Sequence, residues 1–273
     1  MILSEMKGVL AQRGWMLTKS LGQNFLHDQN QLHRIVAAAE LTPQDKVLEV
    51  GPGLGPLTEL LVEKCGEVLA IEKDQRLFVY LAEKLSFQSN LKLLCADALD
   101  YLKTSRDWND WKLVSNLPYS VGSTILVELS EAEFPPQRMV ATLQLEVAQR
   151  LNAAAGTELY GIFGLLLALR YHARASFRIP ASCFFPAPDV DSACVILERR
   201  SEPLLPTPLH APFRKIVKRG FSQRRKMMHK LLKKDWPEEN LAHAFEKVGL
   251  SPQVRAEKVS LEQFAHLTQI IAS

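Results

Sequence analysis

The sequence predicts an α/β fold built on a mostly parallel sheet. Short apolar runs alternate with amphipathic stretches, and the first run of that series ends in a glycine-rich turn. A proline-dense tract late in the chain, followed by three helical stretches, adds a smaller unit with no strands.

Strands are expected over 46–50, 68–71, 91–95, 112–114 and 139–143, with a late antiparallel pair near 171–177 and 193–197. Helices are expected between them at 57–64, 75–85, 124–130, 146–153 and 163–169. Pro203, Pro206, Pro208 and Pro212 cannot continue a helix or a central strand, so 201–212 reads as a linker. The domain before it spans 1–200. The domain after it, 213–273, reads as helices at 213–234, 237–248 and 261–272, punctuated by Pro237, Gly249 and Pro252.

The 273 residues are 47% hydrophobic and 23% charged, which suits a full α/β core plus an appended unit and not a disordered chain. The longest smooth apolar stretch, 161–169, is less than half of the roughly 20 residues a membrane span needs, and the N-terminus lacks an apolar signal core. A cytoplasmic protein without membrane contact is expected. Cys65, Cys95, Cys183 and Cys194 form no CxxC pair and read as small buried thiols. The seven histidines are scattered, so no metal is assigned. Charge is uneven: residues 201–273 carry 13 basic and 7 acidic side chains, leaving 20 basic and 23 acidic before them. Between Arg214 and Lys234 stand ten basic residues and no acidic one, a candidate phosphate-contact surface whose alternative is a solvated helix face.

After the first central strand, Gly51, Gly53 and Gly55 let the backbone turn tightly and approach a ligand. A dinucleotide fingerprint would place its third glycine where Pro56 stands, so the tighter turn fits an S-adenosylmethionine site better than a pyrophosphate. Glu72 ends the second strand, where a carboxylate accepts ribose hydroxyls, and Asp97 ends the third, where it accepts from an adenine amine.

Asn116-Leu117-Pro118-Tyr119 follows the apolar run at 113–114. A carboxamide oxygen at Asn116 and the main-chain carbonyl of Leu117 can accept both hydrogens of a planar amino group, turning its lone pair toward a methyl donor. Pro118 stiffens the turn, and Tyr119 offers a face for a flipped-out base. Together with the glycine turn, this tetrapeptide points to methylation of the exocyclic amine of a nucleobase.

Those motifs, with Leu21 to Leu26, 144–151, Tyr160-Gly161, Phe184 to Ser192, Phe221 to Lys226 and Arg255-Ala256-Glu257, give a chain that resembles the small-subunit ribosomal RNA adenine N6,N6-dimethyltransferases nearly end to end. The resemblance implies a seven-stranded Rossmann-like class I S-adenosylmethionine-dependent methyltransferase domain with a small C-terminal all-helical domain. It implies that Asn24 and Leu26 close over the cofactor and that Gly51, Gly53, Glu72, Asp97 and Asn116 line its site. Asn116, Leu117 and Pro118 would present the target amine, with Tyr119 and Phe184 stacking on either side of the base.

The implied substrate is a pair of adjacent adenines in the 3′-terminal hairpin loop of small-subunit rRNA. The implied partner is the assembling small ribosomal subunit, bound by a monomer through the basic helical domain. Ser120 stands where many relatives carry Asn, Ser115 where Gly or Ala is usual, and Leu145 and Asp189 where Lys is common. Two alternatives stay open: a large-subunit rRNA adenine methyltransferase of the macrolide-resistance type, and a non-catalytic assembly or transcription factor on the same fold.

Overall fold

The computed structural model describes residues 1–16, 23–104 and 107–272. Leu21 and Gly22 of the first family motif lie outside the described residues. The order of the chain is α1 (Leu3–Gln12), β1 (Phe25–Leu26), α2 (Gln29–Ala38), β2 (Lys46–Val50), α3 (Pro56–Val62), β3 (Glu67–Glu72) and α4 (Gln75–Lys84). It continues with β4 (Leu91–Cys95), α5 (Ala98–Leu102), β5 (Trp111–Asn116), α6 (Gly122–Glu131), β6 (Arg138–Gln144), α7 (Leu145–Gln149), α8 (Ile162–Ala168) and β7 (Tyr171–Ile179). Then come β8 (Phe184–Phe185), β9 (Ser192–Arg199), α9 (His210–Gly220), α10 (Met228–Leu232), α11 (Glu238–Val248) and α12 (Leu261–Ala272).

Seven strands form one sheet in the order β4-β3-β2-β5-β6-β9-β7. The ladders from β4 through β6 are parallel, and β9 runs antiparallel to β6. Both faces of β2 are covered, which is why Val47, Leu48 and Val50 make a near-continuous apolar run. Leu32 and Ile35 of α2 and Leu57 and Leu61 of α3 join Val47, Val68 and Val114 in the core. Successive connections run outward from β2 in one direction and from β5 in the other, so the order reverses between these two strands. Open α/β sheets bind ligands at such a reversal, beyond the carboxyl ends of the strands.

The sequence reading missed α2 and α5 and two further features. The helix α1 precedes the first expected element, and β1 and β8 form a separate two-stranded ribbon, pairing Phe25 with Phe185 and Leu26 with Phe184. Cys95 is exposed, contrary to expectation, because it ends the edge strand β4.

The chain divides into two compact units, residues 1–148 with 173–199, and residues 149–172 with 200–273. The expected boundary at residue 200 therefore differs in one respect: 149–172 groups with the C-terminal helices. Within that unit the Tyr160 hydroxyl donates to the Val259 carbonyl at 2.7 Å, and the Tyr160 ring lies 6.1 Å from Phe221, which stacks on Phe264. The expected linker is also packed, since Leu205 is fully buried and the Leu204 amide donates to Leu169. The helix expected over 213–234 is two, α9 and α10. At the end of α9 a side chain at Gly220 would stand 3.2 Å from Met228 Sδ and 3.3 Å from the Ala256 Cβ, so the glycine lets the two helices meet closely there.

Candidate functional site

A cavity of about 300 Å³ opens at the carboxyl ends of β2, β3, β4 and β5. Its lining includes Asn24, Gly51, Gly53, Glu72, Asp97, Asn116, Leu117, Pro118 and Tyr119. The volume falls at the lower end of the range for small-molecule sites.

The cavity exists because β2 and β5 part company. Their ladder pairs only Lys46 to Leu48 with Trp111 to Leu113. Beyond it the Ser115 hydroxyl accepts from the Val50 amide at 3.3 Å and donates to the Val50 carbonyl at 2.6 Å. One buried side chain thus satisfies both main-chain groups of Val50 that face it, groups that would be costly to leave unpaired. Ser115 looked like a minor departure in the sequence, and here it supports the mouth of the site.

The chain leaving β2 turns through Gly51 and Gly53 with φ of +71° and +62°. A side chain at Gly53 would stand 2.6 Å from the Phe25 ring, and one at Gly51 would stand 3.1 Å from Pro118. Each glycine therefore combines a left-handed conformation with close approach, and the Gly51 contact joins the two sequence motifs.

Glu72 is buried and accepts from the Gly53 amide at 3.0 Å and the Asp74 amide at 2.8 Å. Burial raises its pKa, while these two donors favour the carboxylate. Asp97 caps α5 through the Leu99 amide at 2.8 Å and pairs with Lys73 at 2.7 Å. The Lys73 hydrogen bond lowers its pKa, and its carboxylate keeps lone pairs for a further donor.

Behind the glycine turn lies a group that sequence reasoning left without a role. Glu49 is 2% exposed, and its Oε2 and the buried Thr58 hydroxyl have no well-formed hydrogen bond among the described residues. Burial pushes its pKa up to about 8, with the Glu72 charge adding to the rise and nearby Thr58 opposing it. At neutral pH Glu49 is therefore mostly the uncharged acid.

Three consecutive residues tie the N-terminal segment to three strand ends. Gln23 donates to Asp74 at 3.1 Å, the Asn24 carbonyl accepts from Asn116 Nδ2 at 3.0 Å, and Phe25 covers Gly53. Leu26, expected at the cofactor, is instead 1% exposed, packed in the core and absent from the cavity lining. Alternation explains this, because Phe25 and Leu26 point to opposite faces of β1.

At the target end, Thr142 sits beside Asn116 in the β5–β6 register, and its hydroxyl donates to Asn116 Oδ1. With Nδ2 committed to Asn24, the amide cannot flip, and Oδ1 keeps one lone pair for another donor. Thr142 is fully buried. Its only signal in the sequence was a hydroxyl within an otherwise apolar strand. Leu117 is buried, so what it can offer a ligand is its main-chain carbonyl.

The Tyr119 hydroxyl bonds Ser192, and its ring meets Phe184 edge-on, centroids 6.4 Å apart at 67°. Phe184 is 2% exposed and is not in the cavity lining. The expected parallel pair of plates is therefore not formed, because two rings in direct contact favour the edge-to-face arrangement. Sandwiching a base requires one ring to rotate.

Among the described residues, no group of three or more His, Cys, Asp or Glu side chains could hold a metal, and no helix is long and apolar enough to cross a membrane.

The family described as ribosomal RNA adenine dimethylase matches residues 16–273. The ribosomal RNA small subunit methyltransferase A of Latilactobacillus sakei is 36% identical, the match covering 97% of this chain and 93% of that protein. Its counterpart in Streptococcus pneumoniae strain P1031 is 38% identical, with 97% and 95% covered. Among solved structures, the 23S rRNA methyltransferase ErmE is 28% identical with a TM-score of 0.68, over 92% of this chain and all of that one. A dimethyladenosine transferase from Plasmodium falciparum, at 22% identity, shares the fold with a TM-score of 0.74 over 89% of this chain and 95% of its own.

Proposed function

Since the chain belongs to the ribosomal RNA adenine dimethylase family, we propose that it transfers methyl groups from S-adenosylmethionine to N6 of adenines in small-subunit rRNA, giving N6,N6-dimethyladenine. The substrate is the pair of adjacent adenines in the 3′-terminal hairpin loop. The protein acts as a monomer in the cytoplasm on the assembling subunit. The observation that carries this reading is Asn116, its amide fixed by Thr142 and Asn24 at the mouth of a cavity lined by Glu72, Asp97 and the glycine turn.

The residues present fit the cofactor. Glu72 would accept the ribose hydroxyls and Asp97 an adenine amine, and the turn at Gly51 and Gly53 would admit the methionine portion. Bound S-adenosylmethionine supplies a methyl group made electrophilic by its sulfonium. Asn116 Oδ1 and the Leu117 carbonyl accept the two N6 hydrogens and draw the nitrogen lone pair out of conjugation with the ring. With N6 held in this way the methyl group would be taken from the sulfonium, which would leave as the thioether, and the acidified N6 proton would then leave to water. No strong base is needed. Tyr119 supplies the stacking face, with its hydroxyl anchored on Ser192.

The basic tract supports RNA contact by the helical unit, in part. Lys215 and Arg219 are occupied by Asp235, Arg224 by Glu257 and Lys233 by Glu238. Lys218, Arg225, Lys226, Lys230 and Lys234 are exposed and without an acidic partner among the described residues, so these five are the phosphate contacts we assign.

The test is transfer of labelled methyl groups to small subunits lacking dimethyladenine, beside methylated small subunits and naked large-subunit RNA. Up to four methyls per unmodified small subunit, on two adjacent adenines, are expected. Label on large-subunit RNA alone would move the chain to the branch that ErmE resembles. Binding without transfer would make it an assembly factor.

A further inference from the structure

A second cavity, also of about 300 Å³, lies between α1 and the β1–β8 ribbon, lined by Lys7, Leu10, Ala11, Gly14, Trp15, Met16 and Phe185. The sequence motifs gave it no role. Its walls are set by local structure. Gly14, with φ of +63°, ends α1: its amide bonds Ala11 at 3.1 Å and the Trp15 amide bonds Leu10 at 2.9 Å, the two bonds of a Schellman closure. That closure folds Trp15 back over Leu10. The far side of Trp15 is braced by Tyr80, edge-on at 6.1 Å, and by the Arg13 guanidinium at 5.8 Å, which is in turn paired with Glu83. The wall is therefore held in place before any ligand arrives.

The opposite wall, Phe185, is the neighbour of Phe184. Successive side chains of a strand point to opposite faces. Phe184 turns toward Tyr119, while Phe185 pairs in register with Phe25 and faces the second cavity. Phe25, which lines the main cavity, is the cross-strand partner of Phe185 and shares its face of the ribbon, so the two cavities are neighbours on that face. The Lys7 ammonium lies 5.2 Å from the Phe185 ring centroid, the lining holds no acidic side chain among the described residues, and the rim carries Met16, which is 84% exposed. Two aromatic walls, a cation at the rim and a soft thioether make a stacking platform for a base whose phosphate stays in water.

We propose that this cavity receives the nucleobase adjoining the target adenine. The proposal rests on the RNA-methylation reading above and adds a site to it. An adenine drawn out of its stack leaves its neighbour unstacked on one face. Phe185 and Trp15 take up that neighbour, and Lys7 meets the phosphate that joins the two nucleotides. Stacking in this form tolerates any base, so the site sets the register of the strand over the methyl-transfer cavity and reads no sequence.

The test uses small ribosomal subunits reconstituted with a synthetic 3′ RNA segment in which 2-aminopurine replaces the base on either side of the target adenine. Stacking on Trp15 and Phe185 should quench the probe severalfold on one side. Trp15→Leu should restore most of the emission and weaken subunit binding roughly five- to a hundredfold, the range for loss of one base stack, with cofactor affinity unchanged. Lys7→Glu combined with Met16→Glu, both on the exposed rim and tolerable to the fold, should do the same. Methyl transfer with unaltered emission on both sides, or quenching that survives both variants, overturns the site alone. Absence of transfer by the wild-type protein overturns the reading on which the site depends.

Discussion

At the end of the main cavity proposed to hold the cofactor, the lining groups stand within three residues of a strand end: Gly51 and Gly53 after β2, Glu72 closing β3 and Asp97 after β4. At the target end, each group is held by a partner far away in sequence. Asn116 depends on Asn24, 92 residues before it, and on Thr142, 26 residues after it, while Tyr119 depends on Ser192, 73 residues on. The first end is specified by backbone conformation, the second by tertiary assembly. A substitution at the first end should therefore act on cofactor affinity, and one at the second on turnover.

The largest effect is expected from Gly53→Val, which forces a branched side chain into a left-handed conformation against Phe25. Strain and overpacking together cost about 2–4 kcal/mol, so cofactor affinity measured by calorimetry should fall by up to roughly a thousandfold. Undiminished affinity would show that the turn does not cradle the ligand.

Glu49→Gln tests the buried acid behind the same turn. Its pKa is pushed up from 4.5 to about 8. Between these values the folded protein keeps a proton that the unfolded chain has lost, so stability falls as pH rises through that window. The variant has no proton to lose. Its stability relative to wild type should rise by about 3–4 kcal/mol between pH 5 and pH 8. Parallel denaturation curves at the two pH values would contradict the assignment.

At the target end, Thr142→Val keeps the shape and deletes the hydroxyl that fixes Asn116. Loss of one such hydrogen bond, about 1 kcal/mol, should lower kcat roughly fivefold with KM for the cofactor unchanged, and Thr142→Ser should restore it. An equal loss in the serine variant would point to packing instead. Smallest of all, Arg225→Ala with Lys226→Ala lies outside both ends. It should raise KM for the subunit a few-fold and reduce the salt dependence of binding by roughly two phosphate contacts, leaving kcat alone.

The same contrast governs what could be read from the sequence. Strand periodicity located the sheet, and the glycine spacing located the turn that lines the main cavity, because both are local properties of the chain. Asn116 and Tyr119 were legible as a tetrapeptide, but Thr142, Ser192 and the bridging role of Ser115 were not, since a hydroxyl in a strand gives no hint of its cross-strand partner. Which way the Leu26 side chain points could not be read from a strand too short to show alternation; it packs in the core. The tract 149–172 was assigned to the wrong side of the boundary because what groups it with the C-terminal helices, Tyr160 on Val259 and Phe221, is a contact between segments far apart in sequence.

The most direct test of this division of labour is Asn116→Ala, measured twice: by the dissociation constant for S-adenosylmethionine and by the single-turnover rate of methyl transfer to unmethylated small subunits. Cofactor binding within a few-fold of wild type, with the rate reduced by about a hundred- to a thousandfold, is the predicted result, in line with the loss of one preorganised polar group at a reacting centre. A rate that survives, or one that falls only in step with cofactor affinity, would contradict the role given to Asn116 as the residue that presents the target amine.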